Sequence, residues 1–299
     1  MLLTGLYVPL ITPFTATGEL ATTALAELAH SALADGATGL VALGTTAEAA
    51  ALTPEERETV IEICASACAR YGAPLVAGAG TNTTASSIEQ VTRLDPRVSA
   101  ALTVVPYYTR PSEDGVVEHF RLLAAASPVP LIVYNIPYRT SRTLSAETLG
   151  RIARIPNIAG FKHSTGGIDE TTIAFLADLP ADTAVLAGDD LFTSPLLALG
   201  ASGAILACAT VAARPYAELI AAWRAGSIEH ARQLGHRLVP LTRALFAEPN
   251  PTVVKAVLAA QGRIPSPHVR LPLLPARPES TAAALACVDR LDPGPLPRG

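Results

Sequence analysis

Lysine is almost absent from this chain of 299 residues: of its 22 lysines and arginines, only Lys162 and Lys255 are lysine. An arginine side chain stays protonated in a protein, whereas a lysine becomes an amine nucleophile when burial or a neighbour lowers its pKa. Lys162 ends the apolar segment NIAGFK and precedes the polar run HSTG. Two interpretations are open: a catalytic amine that forms a Schiff base, or a lysine left by compositional bias.

Other absences narrow the class of protein. The chain has no uninterrupted apolar run of about 18 residues, so we expect no membrane-spanning helix. Its net charge of −4 argues against a nucleic-acid partner, which would favour a basic surface. The first residues, MLLTGLYVPLITPF, lack a basic start, so we expect a first strand there rather than a signal peptide, and a cytoplasmic location.

Metal-site patterns are also missing. Cys64 and Cys68 are one helical turn apart, but no second pair among the four cysteines completes a zinc site, so we expect buried reduced thiols. The six histidines have no metal-ligand spacing, which disfavours a zinc-dependent aldolase. The chain also has no GxSxG nucleophile elbow and no Walker loop for phosphate.

What the chain does contain is a regular alternation of short apolar segments with longer helical ones. This alternation predicts parallel strands joined by crossover helices, and eight such units predict a (β/α)8 TIM barrel of the α/β class. A doubly wound sheet is the alternative, but TPFTATGEL follows the first strand where that fold has a Gly-rich phosphate loop. The predicted strands are residues 6–11, 39–43, 74–78, 100–105, 130–135, 158–162, 183–187 and 203–207.

Helix start signals support this count of units. Thr53, Ser112 and Ser145 are predicted N-caps, each followed by an acidic residue in the first turn. From about residue 214 the pattern becomes wholly helical. We predict a barrel over residues 1–213, C-terminal helices packed on it over 214–291, and a disordered tail over 292–299.

Polar side chains follow the predicted strands, on the face where barrel enzymes place their chemistry. Each group has a structural alternative: the threonines after strand two cap the next helix, and the aspartates after strand seven bind backbone amides or a magnesium ion. His163 adjoins Lys162 but faces the other way on a strand, which favours a structural role. The candidates are Thr45, Thr46, Glu48, Tyr107, Tyr108, Arg110, Tyr134, Asn135, Arg139, Lys162, Asp189 and Asp190.

Seven motifs occur in order along the chain: TPF, GTTAE, PYYTRP, YNIPYRT, FKHSTG, GDD and EPNPTVVK. From residue 5 to residue 275 they resemble the pyruvate-dependent class I aldolases related to dihydrodipicolinate synthase and N-acetylneuraminate lyase. The resemblance implies a TIM-barrel lyase that forms a Schiff base with pyruvate and then uses a small aldehyde. It also implies no metal, no organic cofactor, and a homotetramer built as a dimer of dimers.

The resemblance implies catalytic roles for four residues. Lys162 matches the lysine that forms the Schiff base, and Tyr134 matches the tyrosine that carries protons to and from it. Thr45 and Tyr108 match the other members of the proton relay. In the family, the second of these tyrosines reaches in from a neighbouring subunit.

Three further positions match substrate-binding residues of the family. Thr46 matches the threonine that holds the pyruvate carboxylate. Arg139 matches an arginine that receives the carboxylate of the second substrate. Ile205 matches a position whose backbone carbonyl faces the bound substrate.

Arg139, PYY and EPNP are closest to the synthases that join pyruvate to L-aspartate 4-semialdehyde, which gives 4-hydroxy-tetrahydrodipicolinate for lysine and diaminopimelate biosynthesis. The chain departs from their pattern at Ala47 (usually glycine), His163 (usually acidic) and Tyr138 (usually small). These departures leave the identity of the aldehyde substrate open. One alternative is a related aldolase or dehydratase acting on a 2-keto-3-deoxy sugar acid or a hydroxy-oxo acid. Another is a non-catalytic metabolite-binding paralog, against which the intact Lys162 and Tyr134 argue.

Feedback-regulated synthases of the family bind lysine in a cleft between subunits. The resemblance places Asn82 and Tyr107 in that cleft, and it places Ser86 where a glutamate would pair with the amine of lysine. Arg57 adds a positive charge nearby. We therefore expect lysine to inhibit weakly.

Overall fold

Eight parallel strands close into a barrel, with each strand paired to its neighbours in sequence order and β8 paired back to β1. The computed structural model describes residues 3–291. The predicted TIM barrel is confirmed, and the strand bounds differ from the predicted ones by only a few residues. The strands are β1 Gly5–Pro9, β2 Gly39–Ala42, β3 Leu75–Gly78, β4 Ala100–Val104, β5 Leu131–Asn135, β6 Ile158–His163, β7 Ala184–Ala187 and β8 Gly203–Ile205.

Helices follow every strand and cover the outside of the barrel. β5 is followed by two, the first a single turn that carries Arg139. The helices are α1 Thr22–Ala34, α2 Pro54–Tyr71, α3 Thr84–Thr92, α4 Glu113–Ala126, α5 Pro137–Thr140, α6 Ala146–Ala153, α7 Glu170–Ala177, α8 Thr193–Ala198, α9 Ala213–Arg224, α10 Ile228–Leu245, α11 Thr252–Ala260 and α12 Pro278–Leu291. No helix among residues 3–291 is long and apolar enough to cross a membrane.

The three predicted N-caps are confirmed. The hydroxyl of Thr53 accepts a hydrogen bond from Glu56 N, and the Glu56 carboxylate accepts one from Thr53 N, which makes a capping box. The hydroxyls of Ser112 and Ser145 cap α4 and α6 by accepting hydrogen bonds from Gly115 N and Thr148 N. Each cap contributes about 1 kcal/mol by satisfying backbone donors that the helix leaves free.

The apolar core has two layers, because parallel strands covered by helices are buried on both faces. The outer layer lies between the strands and the ring of helices. The inner layer fills the barrel with side chains from alternate positions along the strands, including Tyr7, Leu102, Ile132, Tyr134 and Ile205. Tyr134 is therefore a core side chain whose strand ends at the face where the loops begin.

The C-terminal helices return to that face. α9 packs against β1, and α10 packs against both α9 and α12. The turn between α10 and α11 carries Asn250, whose Nδ2 donates a hydrogen bond to Thr46 Oγ1 at 3.0 Å. The predicted division after residue 213 stays a prediction, and the predicted tail, residues 292–299, lies outside the described residues.

Candidate active site

The end of β6 places Lys162 against Tyr134 of the adjacent strand. The two residues are register partners of β5 and β6, and Lys162 Nζ lies 4.2 Å from the centre of the Tyr134 ring. Lys162 is 5% exposed and Tyr134 is 7% exposed. The structure therefore brings together the two side chains that the sequence analysis placed at the centre of the chemistry.

Burial makes the Lys162 side chain a usable amine. Removal from water lowers its pKa to about 8, and the nearby carboxylates of Asp190 and Asp189 only partly oppose this. With such a pKa, about a tenth of the side chain is neutral at pH 7, against far less than a hundredth for a lysine in water. The site thus supplies a nucleophilic amine near neutral pH.

The phenol of Tyr134 remains protonated at neutral pH. Burial raises its pKa to about 12, while Arg139 and the hydroxyl of Thr45 act in the opposite direction. A buried phenol beside an amine can give a proton to a leaving oxygen and take one back. The Thr45 hydroxyl is in position to continue that transfer toward solvent, since Thr45 is exposed.

The two aspartates after β7 bind backbone amides, which was one of the two alternatives open for them. Asp190 Oδ1 accepts a hydrogen bond from Cys208 N at 2.7 Å, and Asp189 Oδ2 accepts one from Gly166 N at 2.7 Å. Burial raises the pKa of Asp190 to about 6. Residues 3–291 contain no group of three or more histidine, cysteine, aspartate or glutamate side chains arranged to hold a metal ion.

The turn after β2 holds both predicted threonines. Thr45–Ala47 forms a single 3-10 turn that ends on Glu48, whose φ of 52° is left-handed. Ala47 does not have a positive φ, so alanine in place of the usual glycine adds no backbone strain here. Thr46 is buried, and because Asn250 donates to its oxygen, its own hydroxyl hydrogen is free to point at a carboxylate.

The second lysine supports this turn. Lys255 is fully buried, and its Nζ donates a hydrogen bond to Glu48 Oε1 at 2.5 Å. The other carboxylate oxygen of Glu48 accepts one from Arg270 N at 2.8 Å, and Lys255 Nζ also lies 4.1 Å from the centre of the Phe14 ring. Sequence analysis missed this pairing, although the scarcity of lysine was a signal for Lys255 as much as for Lys162.

A cavity of about 510 Å³ opens above Tyr134 at the strand-end face. Arg139 lies on its wall, where its Nε donates to the Tyr138 hydroxyl at 3.2 Å and its guanidinium lies 5.2 Å from the centre of that ring. Lys162 does not line the cavity. Its amine contacts the ring of Tyr134, which does line it. The polar side chains on the wall are Thr45, Glu48, Arg57, Thr81, Gln90, Tyr107, Tyr134, Arg139, Thr140, Asn250 and Arg270.

Tyr108 is the predicted relay member that the structure does not bring into this cavity. It is 87% exposed and has a left-handed φ of 69°, whereas its neighbour Tyr107 lies on the cavity wall. A tyrosine in that backbone conformation is strained, and such strain is concentrated at functional sites. Ile205 is 1% exposed within the barrel, in the same inner layer as Tyr134.

His163 faces away from Lys162, as predicted from strand alternation. Its ring contacts α7, where Nε2 lies 3.2 Å from Thr172 Oγ1 and the ring centre lies 5.9 Å from that of Phe175. Burial lowers the pKa of His163 to about 4, so the ring is neutral at physiological pH. Here His163 packs β6 against α7.

Fold and site define the class of protein: a TIM-barrel enzyme with one buried amine against one buried phenol at the carboxyl ends of its strands. The chain belongs to the dihydrodipicolinate synthetase family, whose sequence model matches residues 2–290. It is 40% identical over 282 residues to the 4-hydroxy-tetrahydrodipicolinate synthase of Methanothrix thermoacetophila, covering 93% of each chain. The resemblance drawn from the seven motifs is therefore confirmed.

Two solved structures share the fold over nearly the whole chain. The chloride-inhibited dihydrodipicolinate synthase of Acinetobacter baumannii complexed with pyruvate has a TM-score of 0.91 at 33% identity, covering 96% of this chain and 98% of that one. The DHDPS of Cyanidioschyzon merolae with lysine bound has a TM-score of 0.90 at 32% identity, covering 95% and 97%.

Proposed function

We propose that this enzyme condenses pyruvate with L-aspartate 4-semialdehyde to give 4-hydroxy-tetrahydrodipicolinate. The observation that carries the proposal is the buried Lys162 amine, with its pKa lowered to about 8, held against the buried phenol of Tyr134. Membership of the family, and the name of the relative from Methanothrix thermoacetophila, support the choice of reaction. The reaction requires no metal or organic cofactor in this proposal.

The proposed sequence of steps begins when the neutral Lys162 amine attacks the ketone of pyruvate and water is lost. Thr46 donates to the pyruvate carboxylate, and the carbonyl of Ile205 faces the bound substrate. Tyr134, with Thr45 and Tyr108, moves protons as the imine becomes an enamine. The enamine carbon attacks the aldehyde, and the product cyclises as the amine of Lys162 is released.

A panel of aldehydes incubated with pyruvate and the enzyme tests this choice of second substrate. We expect L-aspartate 4-semialdehyde to be consumed with the highest kcat/KM. Faster turnover of a sugar-derived aldehyde would favour the related aldolases, in which the same pyruvate half acts on a 2-keto-3-deoxy sugar acid. Absence of turnover with every aldehyde, in protein that also fails to form an imine, would favour a metabolite-binding paralog.

Arg139 is proposed to bind the carboxylate of the second substrate. Its guanidinium lies on the cavity wall and has no carboxylate partner among residues 3–291, so it is available to an anionic ligand. Arg139→Ala should therefore lower kcat/KM for the carboxylated aldehyde about 10- to 100-fold. Formation of the pyruvate imine, measured separately by borohydride trapping, should be nearly unchanged.

Arg142→Ala is the matched control for Arg139. Arg142 lies two residues after the end of α5, but its guanidinium lies 3.6 Å from the Glu113 carboxylate and not on the cavity wall. Arg142→Ala should therefore leave both pyruvate imine formation and aldehyde use close to their wild-type rates. Equal losses of imine formation and aldehyde use in Arg139→Ala would show that Arg139 acts on pyruvate or on the fold instead.

Lysine is expected to inhibit this enzyme only weakly. Ser86, which replaces the acid that would pair with the lysine amine, lines a second cavity of about 1010 Å³ beside Arg57. Of the acids on the cavity wall, Glu89 is paired with Arg93 at 2.9 Å, Glu62 and Asp95 are paired with Arg97, and Glu58 is exposed. Exposed or already paired carboxylates bind an ammonium group weakly, so millimolar lysine should leave activity near its uninhibited value.

Ser86→Glu gives the complementary variant for this prediction. Restoring the acid should introduce saturable inhibition by lysine, with pyruvate imine formation unchanged when lysine is absent. Clear inhibition of the wild-type enzyme at millimolar lysine would show that other groups in the cleft bind the amine.

We also propose a homotetramer, a dimer of dimers, in the cytoplasm. The side chains of Tyr107 and Tyr108 are exposed after β4, where they are available to a neighbouring subunit, and tyrosine is enriched at such contacts. The four cysteines are all free and buried, which fits a reducing compartment. Sedimentation of the purified enzyme tests the assembly.

A further inference from the structure

Ser164 carries a buried hydroxyl that the proposed mechanism does not use. It follows Lys162 by two positions, directly after β6, and its backbone N–H still bonds to Asn135 O of β5, so the alternation of the strand turns both side chains to the same side. Ser164 is 0% exposed, and its Oγ makes no hydrogen bond of regular geometry to the other described residues, although it lies within reach of the Tyr134 phenol. A hydroxyl withdrawn from water without a partner destabilises the fold, so its position beside the amine needs an explanation.

The hydroxyl of Ser164 and the stem of Lys162 pack side by side over Gly188. A Cβ built on Gly188 would overlap Ser164 Oγ and would lie 2.8 Å from Lys162 Cγ. Glycine at this position therefore lets both side chains lie flat against the end of β7. This close packing holds Ser164 Oγ beside the stem of Lys162 and away from solvent.

The phenol of Tyr134 is the nearby group with which the Ser164 hydroxyl can form a hydrogen bond. The Ser164 hydroxyl lies close enough to lower the pKa of Tyr134, in the same sense as Thr45. The other groups that act on Tyr134 are Arg139 on α5, Asp189 after β7 and the Lys162 amine on β6. A protonated phenol offers its hydrogen elsewhere, whereas a phenolate accepts hydrogen bonds and attracts hydroxyl donors strongly.

We propose that Ser164 is a positioning residue for Tyr134: it donates a hydrogen bond to the phenolate oxygen while Tyr134 is deprotonated. In the step concerned, the phenolate takes a proton from the methyl carbon of the pyruvate imine. The C–H bond breaks, its electron pair forms the enamine double bond, and the iminium nitrogen receives the displaced pair. Ser164 keeps its own proton throughout, and Thr45 and Ser164 give Tyr134 two hydroxyl neighbours from its own chain.

The exchange of pyruvate methyl hydrogens for solvent deuterium tests this inference, which rests on the proposed function. The exchange needs the imine and Tyr134 but not the second substrate. In Ser164→Ala, loss of the donor should raise the pKa of Tyr134 by about one pH unit. At saturating pyruvate, we expect exchange to be about tenfold slower than wild type at each pH from 7 to 9, with KM for pyruvate unchanged.

Two controls separate the possible outcomes. Ser202→Ala removes a half-buried hydroxyl at the opposite end of the barrel, where its Oγ donates to Leu3 O at 2.8 Å, and should leave exchange unchanged. Borohydride trapping measures imine formation separately from exchange. If wild type and Ser164→Ala both give the adduct and exchange at equal rates, the role of Ser164 is overturned. A raised KM for pyruvate with an unshifted pH profile would also overturn it, and no adduct in wild type would refute the proposed function itself.

The stability of Ser164→Ala provides a further check. Because the Ser164 hydroxyl makes no hydrogen bond of regular geometry among residues 3–291, Ser164→Ala should melt at or slightly above the wild-type temperature. Slower exchange in a variant that is equally stable supports the positioning role. Slower exchange that follows a fall in melting temperature would instead indicate that the hydroxyl only holds the fold, which contradicts the inference.

Discussion

Replacing Lys162 with arginine should abolish pyruvate imine formation and lower turnover by at least about 10³-fold, although the positive charge is kept. An arginine side chain remains protonated and has no free electron pair with which to attack a ketone. Lysine does have such a pair when it is neutral, and burial at the end of β6 favours the neutral amine because it lowers the pKa of Lys162 to about 8. Borohydride trapping with pyruvate, followed by peptide mass spectrometry, measures the imine directly.

Lys255 is an internal control for this experiment. Burial lowers the pKa of Lys255 to about 8 as well, so proton affinity does not distinguish the two lysines. Geometry does, because Lys255 is 0% exposed and bound to Glu48 in a buried ion pair. We expect the reduced adduct on Lys162 alone; an adduct on Lys255, or none in folded wild-type protein, would contradict the mechanism.

The rate of imine formation should also depend on pH in a definite direction. Burial favours the neutral form of the Lys162 amine, and below a pKa of about 8 the side chain is increasingly an ammonium ion that cannot attack. The rate should therefore fall about tenfold per pH unit below that point and level off above it. A rate that rises as pH falls below 8 would show that another group limits this step.

Mixing two inactive variants, Tyr108→Phe and Lys162→Ala, should restore activity if Tyr108 serves the site of a neighbouring subunit. In a hybrid dimer, one site keeps its own Lys162 and takes Tyr108 from the other chain, while the second site carries both defects. After full exchange of an equal mixture, half of the dimers are hybrid, so activity should reach about a quarter of wild type. The position of Tyr108, 87% exposed and absent from the wall of its own cavity, motivates this expectation.

The control for this recovery is a mixture in which each site of a hybrid dimer carries one defect. Tyr134→Phe with Lys162→Ala serves, because these two residues touch within one chain and a shared dimer leaves neither site whole. That mixture should stay inactive. No recovery with Tyr108→Phe, after subunit exchange has been verified by mass, would place the whole relay within a single chain.

The sequence by itself determined the architecture of the barrel and its central chemistry. Strand and helix periods are local properties, so the alternation of apolar segments was sufficient to predict eight strands. For the same reason, Thr53, Ser112 and Ser145 could be predicted as helix N-caps. The scarcity of lysine and the position of Lys162 at a strand end pointed to the amine. Ordered motifs then identified the family.

Only the tertiary structure decided which distant side chains meet. The pairs Glu48–Lys255 and Thr46–Asn250 join residues more than two hundred positions apart, and no local pattern encodes such a partner. The same holds for Ser164, whose spacing from Lys162 was visible but whose confinement against Gly188 was not. The physical reason is that periodicity fixes the face on which a side chain lies, whereas its neighbours and its desolvation, and hence its pKa, depend on how the strands close into a barrel.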